Sequence, residues 1–344
     1  MSFKQLFQLV ILLVMVPMAV KGQVHSEQLT GKTQPSDERV QTLDTVVVTG
    51  SKPGPGMWRV TKGDHELWIF GTLSPIPAAI EWNAQPVLDV VSSAQVVLWS
   101  PYFTVDVKAG FFKKLSLGYG YWKAQKNPDG RPLKEILSPD TYARWLLLKK
   151  KYLPSDGGVE KRRPVIAADA LLDAAIKHAG LSRESIVVPP IMAAAKAANI
   201  KTHTPRYVFS LSDADAKRIL KDAQSSTMDD TGCLVATMDV VEQYLPRLIT
   251  NANAWATGDI DRINLDQLER RDQLCSDAFS NTDFSRKHGI PNIQDSVMDS
   301  WMKTAKYALE HNETTVAFLP IGSVTRNGGY IDRLRSEGYE VEAP

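Results

Sequence analysis

The chain has 344 residues, 43% of them hydrophobic and 23% charged, with a formal net charge of +1. That is enough apolar material for one large core or two smaller ones. The near-neutral balance removes the electrostatic case for a nucleic acid or an anionic membrane surface as partner, and the basic clusters at 148–152 and 160–164 read as short solvated stretches.

The N-terminus has Lys4, an apolar run from about Leu6 to Val20, and small residues ending at Gly22. The run is too short for a membrane span and is broken by Pro17, so residues 1–22 read as a secretory signal peptide, with an uncleaved anchor as the alternative. No second stretch is long enough to cross a bilayer, which implies an exported chain, periplasmic in a Gram-negative source. Residues 23–56 are polar, rich in turn formers and poor in apolar groups, as expected of a tether. Within them "LDTVVVTG" (43–50) resembles the TonB-box region of outer-membrane transporters. No barrel follows, so an edge strand is expected there, with a partner-binding strand as the alternative.

Residues 57–344 read as a mixed α/β domain. "MWRVTKGDHELWIF" is a hairpin turning at Gly63-Asp64, and its second arm stops on "GTLSPIP", where Gly71 frees the backbone and Pro75 and Pro77 fix the exit. Such a turn presents Ser74 at a sheet edge. A helix is expected at 84–92 and a buried strand at 95–99. Helical patterns follow at 104–117, 139–152, 169–179, 190–198, 212–224, 234–256, 260–279 and 291–311. The chain closes with a strand at 314–320, a loop, a helix at 328–338 and a last strand "YEVEA". The expected fold is therefore a mixed central sheet with strands from both chain ends and a long helical middle. The Trp, Leu and Met residues of that middle sit at helical spacing and read as core.

Single motifs carry little chemistry. "GTLS" lacks the GxSxG elbow of a serine hydrolase, and "GYGYW" (118–122) continues into neither a dinucleotide fingerprint nor a Walker loop. The six histidines (25, 65, 178, 203, 288 and 311) show no HxxxH-type spacing and read as surface residues. Cys233 and Cys275 are the two cysteines, and an exported chain permits a disulfide. A helical hairpin turning at Thr257-Gly258 would leave them roughly 10 Å out of step, and a kink at Pro246 would shorten that gap, so the spacing leaves the pairing open.

The stretches "LWIFGT", "IEW", "VVLW", "AWATGDID", "ERRDQL" and "VAFLPIGSVTRNGGYIDRLRSEGYEVE", in that order over about 57–342, resemble the TraB/PrgY/GumN family. Its animal relatives include the Tiki membrane proteases, and its fold is related to that of the erythromycin esterases and ChaN proteins. The resemblance implies a site at strand ends: a Gly-Thr-x-His, a Gly-x-Gly-His, a Glu ending the second strand, and an Arg from the helical middle. Two imidazoles and a carboxylate suit a divalent metal that activates water. This chain departs from the pattern, with Ser74 and Ser323 at the histidine positions, Trp99 at the glutamate position, and only Arg271 matching. Hydroxyls are weak ligands for such a metal and an indole offers none, so no metal and no cofactor are expected.

The expectation is an exported binding protein of the cell envelope, a degenerate member of the family. Gly71, Ser74, Trp99, Arg271 and Ser323 would line a crevice for a saccharide, a peptide or another small molecule, with no nucleic acid involved. The alternative is a metal-dependent or serine hydrolase using a non-standard site, and a third reading is an envelope adaptor acting through 43–50. The first reading requires Ser74, Trp99 and Ser323 to converge at one sheet edge.

Overall fold

The computed structural model describes residues 54–108, 120, 122–225, 229–280, 286 and 293–344. The segment 1–22 expected as a signal peptide, nearly all of the expected tether with its segment 43–50, most of "GYGYW", His25 and His288 lie outside the described residues.

The hairpin forms as the sequence implies. Strand β1 (Met57–Lys62) and β2 (His65–Thr72) pair antiparallel, and Gly63 takes the positive φ of 64° that the turn requires. After β3 (Ile76–Pro77), helix α1 (Gln85–Ser93) begins with Pro86 in its first turn and buries Val87 and Val91. It returns the chain to β4 (Val96–Leu98). Strand β9 (Thr314–Pro320), from the far end of the sequence, inserts between β2 and β4 and runs parallel to both. With β7 (Lys201–His203) and β10 (Glu340–Glu342) the sheet has the order β10-β1-β2-β9-β4-β7. The four strands β2, β9, β4 and β7 are parallel, so their carboxyl ends share one edge. All but the first and last residues of β9 are buried, as expected of a strand covered on both faces.

The segment expected as a helix from 104 is instead strand β5 (Tyr102–Lys108), paired parallel with β8 (Arg206–Ser212) in a separate two-stranded sheet. Phe103, Val105 and Val107 are buried while Tyr102, Thr104 and Asp106 are not, a period of two that belongs to a strand. Residues 109–117 of that expected helix lie outside the described residues.

Apart from β5, β7 and β8, strands not anticipated from the sequence, the middle is largely helical. It comprises α2 (Pro139–Tyr152), α3 (Pro164–His178), α4 (Val188–Ala197), α5 (Asp213–Ser225), α6 (Thr231–Asp239), α7 (Leu245–Ala256), α8 (Asp266–Ser280) and α9 (Ile293–His311). A short β6 (Leu181–Ser182) pairs with β3. Between α6 and α7 a π-helical turn spans Val240–Tyr244, just before Pro246, so the expected helix 234–256 is two helices joined through a bulge. Two short helices close the chain, α10 (Ile321–Thr325) in the expected loop and α11 (Tyr330–Ser336).

Two apolar clusters result. One surrounds the sheet and includes Trp255 of α7 and Trp301 of α9; the other joins α2, α3, α6 and α8 around Trp145, Leu171, Leu234 and Tyr244. Cys233 and Cys275 form a disulfide in the second cluster, with their Cα atoms 4.6 Å apart. The simple hairpin geometry failed because α8 starts at 266 rather than 260. The connecting residues, with a 3₁₀ turn at Ile260–Arg262, carry the chain back so that α8 packs on α6.

Candidate functional site

Ser74 lies two residues beyond the end of β2, Ser323 three beyond the end of β9, and Trp99 one beyond the end of β4. These three parallel strands are adjacent, so the structure brings all three residues to the carboxyl edge of the sheet, where open α/β sheets form ligand crevices.

The register fixes their levels. Thr72 stands opposite Pro320, whereas Leu98 stands opposite Ala317, so Trp99 is level with Phe318 and below the strand ends that carry the two serines. Its backbone N–H donates to the His203 carbonyl at 2.8 Å, and Ser100 Oγ donates to the Phe318 carbonyl at 2.9 Å. The half-buried indole stacks on Phe318 at 4.9 Å between ring centroids.

From Phe318 the ring contacts continue to Phe70 (5.5 Å) and then to Trp255 (6.0 Å) and Trp82 (5.9 Å), with Trp82 and Trp255 also 5.6 Å apart. Phe70, Phe318 and Trp255 are buried, whereas Trp82 and Trp99 are partly exposed. The edge therefore carries an aromatic seam whose two ends reach solvent. Trp82 belongs to the quoted "IEW" but lacked any sequence signal separating it from core tryptophans.

Gly71 holds the seam in place. Its carbonyl accepts from Trp255 Nε1 at 2.7 Å, anchoring α7 on β2. A Cβ there would lie 3.0 Å from Ile321 Cγ1 and 3.2 Å from Trp58, so α10 packs closely against the bare backbone of this residue. Ser74 is exposed, its hydroxyl donating to the Arg183 carbonyl at 3.5 Å. Ser323 is half-buried in α10.

The structure does not bring Arg271 to this edge as a ligand-facing group. It is 1% exposed in the helical cluster, where Nε donates to Thr237 Oγ1 at 3.0 Å, one terminal nitrogen to the Asp169 carboxylate, and the other to Asp272 at 2.9 Å. Burial pulls its pKa down, but the carboxylates of Asp169 and Asp272 outweigh that and hold it above the ordinary value. Three of its five N–H donors are held by protein partners, and at 1% exposure the guanidinium has no face open to a ligand.

The residue of "ERRDQ" that does approach the edge is Glu269, two positions earlier and on the other side of α8. A Cβ on Gly322 would meet Glu269 Oε1 at 2.7 Å, so the carboxylate lies over the residue preceding Ser323. Burial raises its pKa above the usual carboxylate value; Arg326 opposes this and Asp266 and Asp272 add to it. His203 is also exposed at this edge, at the end of β7.

Among the described residues, no group of three or more His, Cys, Asp or Glu side chains could hold a metal ion. Two hydroxyls and an indole at the strand ends do not fit the two-imidazole, one-carboxylate shell that the resemblance implies.

A family model described as the TraB/PrgY/gumN family matches residues 56–343. No curated protein and no solved structure matches the chain. No helix among the described residues is long and apolar enough to cross a membrane.

Proposed function

The chain belongs to the TraB/PrgY/gumN family, and from that premise we propose that it is an exported, metal-free binding domain of the cell envelope. In this reading residues 1–22 are a signal peptide removed on export to the periplasm, and 23–56 tether the domain at 57–344. The crevice at the carboxyl ends of β2, β9 and β4 takes a hydroxyl-rich ligand, a saccharide or a peptide, and does not cut it.

The observation that carries the reading is the aromatic seam. At the position where the resemblance expects a metal-binding carboxylate, Trp99 stacks on Phe318, and with Trp82 it gives the crevice two partly exposed indoles. Indole faces bind the C–H faces of sugars, and serine hydroxyls supply donors and acceptors for ring hydroxyls. With Arg271 engaged inside the helical cluster, an anionic ligand loses its best argument.

One observation favours the rival reading, a hydrolase with a non-standard site: the Glu269 carboxylate near Ser323. The test is a titration of the purified protein with cello- and chito-oligosaccharides, followed by tryptophan fluorescence and by chromatography of the sugars. Saturable quenching that Trp99→Ala removes, with the sugars recovered intact, is the expected result. Cleavage that Glu269→Gln abolishes establishes the hydrolase instead.

A further inference from the structure

We propose that the outer face of α2 is a self-complementary contact through which two copies of the chain associate with their α2 helices antiparallel. The helix turns Trp145 and Leu148 into the second cluster, and its opposite face is exposed. That face carries Leu147 at 72% exposure and Leu146 at 42%, with exposed Ala143 one turn before and exposed Lys150 and Lys151 one turn after. The two adjacent leucines make a small apolar patch on an otherwise polar helix face.

The charges identify the partner as another α2. Asp140 and Lys151 are eleven residues apart, which returns to nearly the same side of the helix roughly 16 Å along its axis. A two-fold axis crossing between them, at the level of Leu146, places Asp140 of one copy opposite the partner's Lys151, and does so at both ends. The same operation brings Leu146 and Leu147 against their counterparts, with the small Ala143 allowing close approach. Neither Asp140 nor Lys151 has an ion pair among the described residues, the Lys151 ammonium lying 5.0 Å over the Tyr152 ring, whereas Lys149 on the flank is bonded to Glu160 at 2.8 Å. An acid in the first turn and lysines in the last also suit the helix dipole, but the dipole does not call for exposed leucines between them. Antiparallel dipoles favour the same arrangement. One helix pair buries less than the ~1,200 Å² usual for a stable complex, so the dimer is weak, dissociating in the micromolar range.

Sedimentation velocity of the purified full chain across the micromolar range tests this. The expected result is a monomer–dimer equilibrium weakened by salt. Leu147→Glu abolishes it, and Lys151→Asp weakens it about tenfold as two opposite-charge contacts become like-charge ones. Asp140→Lys combined with Lys151→Asp restores it, because the swapped charges pair again. All these side chains are exposed, and the restoring double variant excludes misfolding as the cause of the single variant's loss. A chain that stays monomeric, a dimer indifferent to Leu147→Glu, or a double variant no better than the single overturns the proposal. So does a monomer that instead binds phosphatidylglycerol vesicles through these leucines and lysines, which assigns the face to a lipid surface.

Discussion

Replacing Arg271 by alanine separates a structural guanidinium from a ligand-binding one. The side chain is buried against Asp169 of α3, itself 5% exposed, and against Thr237 of α6. Removing it leaves the Asp169 carboxylate buried without its cation. Breaking a buried ion pair from one side costs about 3–5 kcal/mol, because the remaining charge keeps its desolvation penalty. In a domain of this size that lowers the melting temperature on the order of 10 °C. Replacing both partners together, Arg271→Met with Asp169→Leu, removes the stranded charge and recovers most of the loss. The assay is thermal and urea unfolding of wild type, Arg271→Ala and the Arg271→Met/Asp169→Leu double variant, with oligosaccharide titration of each at a temperature where all are folded. Arg271→Ala should unfold early yet bind like wild type. A variant of unchanged stability that has lost ligand affinity refutes the assignment and returns Arg271 to the crevice.

Other perturbations have definite outcomes. Cys233→Ser with Cys275→Ser opens a loop of 42 residues and should cost about 4 kcal/mol in denaturant titrations, because the unfolded chain regains the entropy the crosslink removes. Non-reducing mass spectrometry should find no free thiol, since both cysteines are bonded. Asp230 accepts from the Val165 backbone N–H at the start of α3, and burial pushes its pKa up to about 6, with Arg163 pulling the other way. A raised carboxyl pKa means that the folded state keeps a proton the unfolded state has released, so stability falls as pH rises from about 4 to about 6 and is flat above. Asp230→Asn should therefore gain on wild type by up to about 3 kcal/mol at pH 8 relative to pH 4, and an equal difference at both values contradicts the assignment. Gly71→Ala forces a Cβ to 3.0 Å from Ile321 and should cost about 1–3 kcal/mol in thermal unfolding, while weakening oligosaccharide binding by shifting α10 and Ser323.

The site's frame was legible because it rests on local signals. "WIFGTLSPIP" spells a strand, a glycine and a proline-fixed exit, and "VVLW" and "TTVAFLP" spell buried strands that must lie inside a sheet. Arg271 was misplaced because residues 269 and 271 share a helix but point to different sides, and only the packing of α8 on α3 and α6 decides which side faces what. A signal was present: Asp169 sits in the otherwise apolar "VIAADALL", and a carboxylate on a buried helix face requires a cation. Strand β5 was missed because its partner β8 lies about a hundred residues later, so no hairpin signal marks either one. The disulfide depended on where α8 begins, and helix boundaries inside a polar connection such as "GDIDRINLD" are weakly encoded.

The central claim is that the strand-end crevice binds without a metal. Untagged protein incubated with zinc, manganese or cobalt, desalted and assayed by elemental analysis tests it most directly. The account predicts no metal retained near stoichiometry in wild type, and retention in Ser74→His/Trp99→Glu/Ser323→His, which puts two imidazoles and a carboxylate at the ends of β2, β9 and β4. One equivalent of metal held by wild type and lost in Ser74→Ala/Ser323→Ala contradicts it.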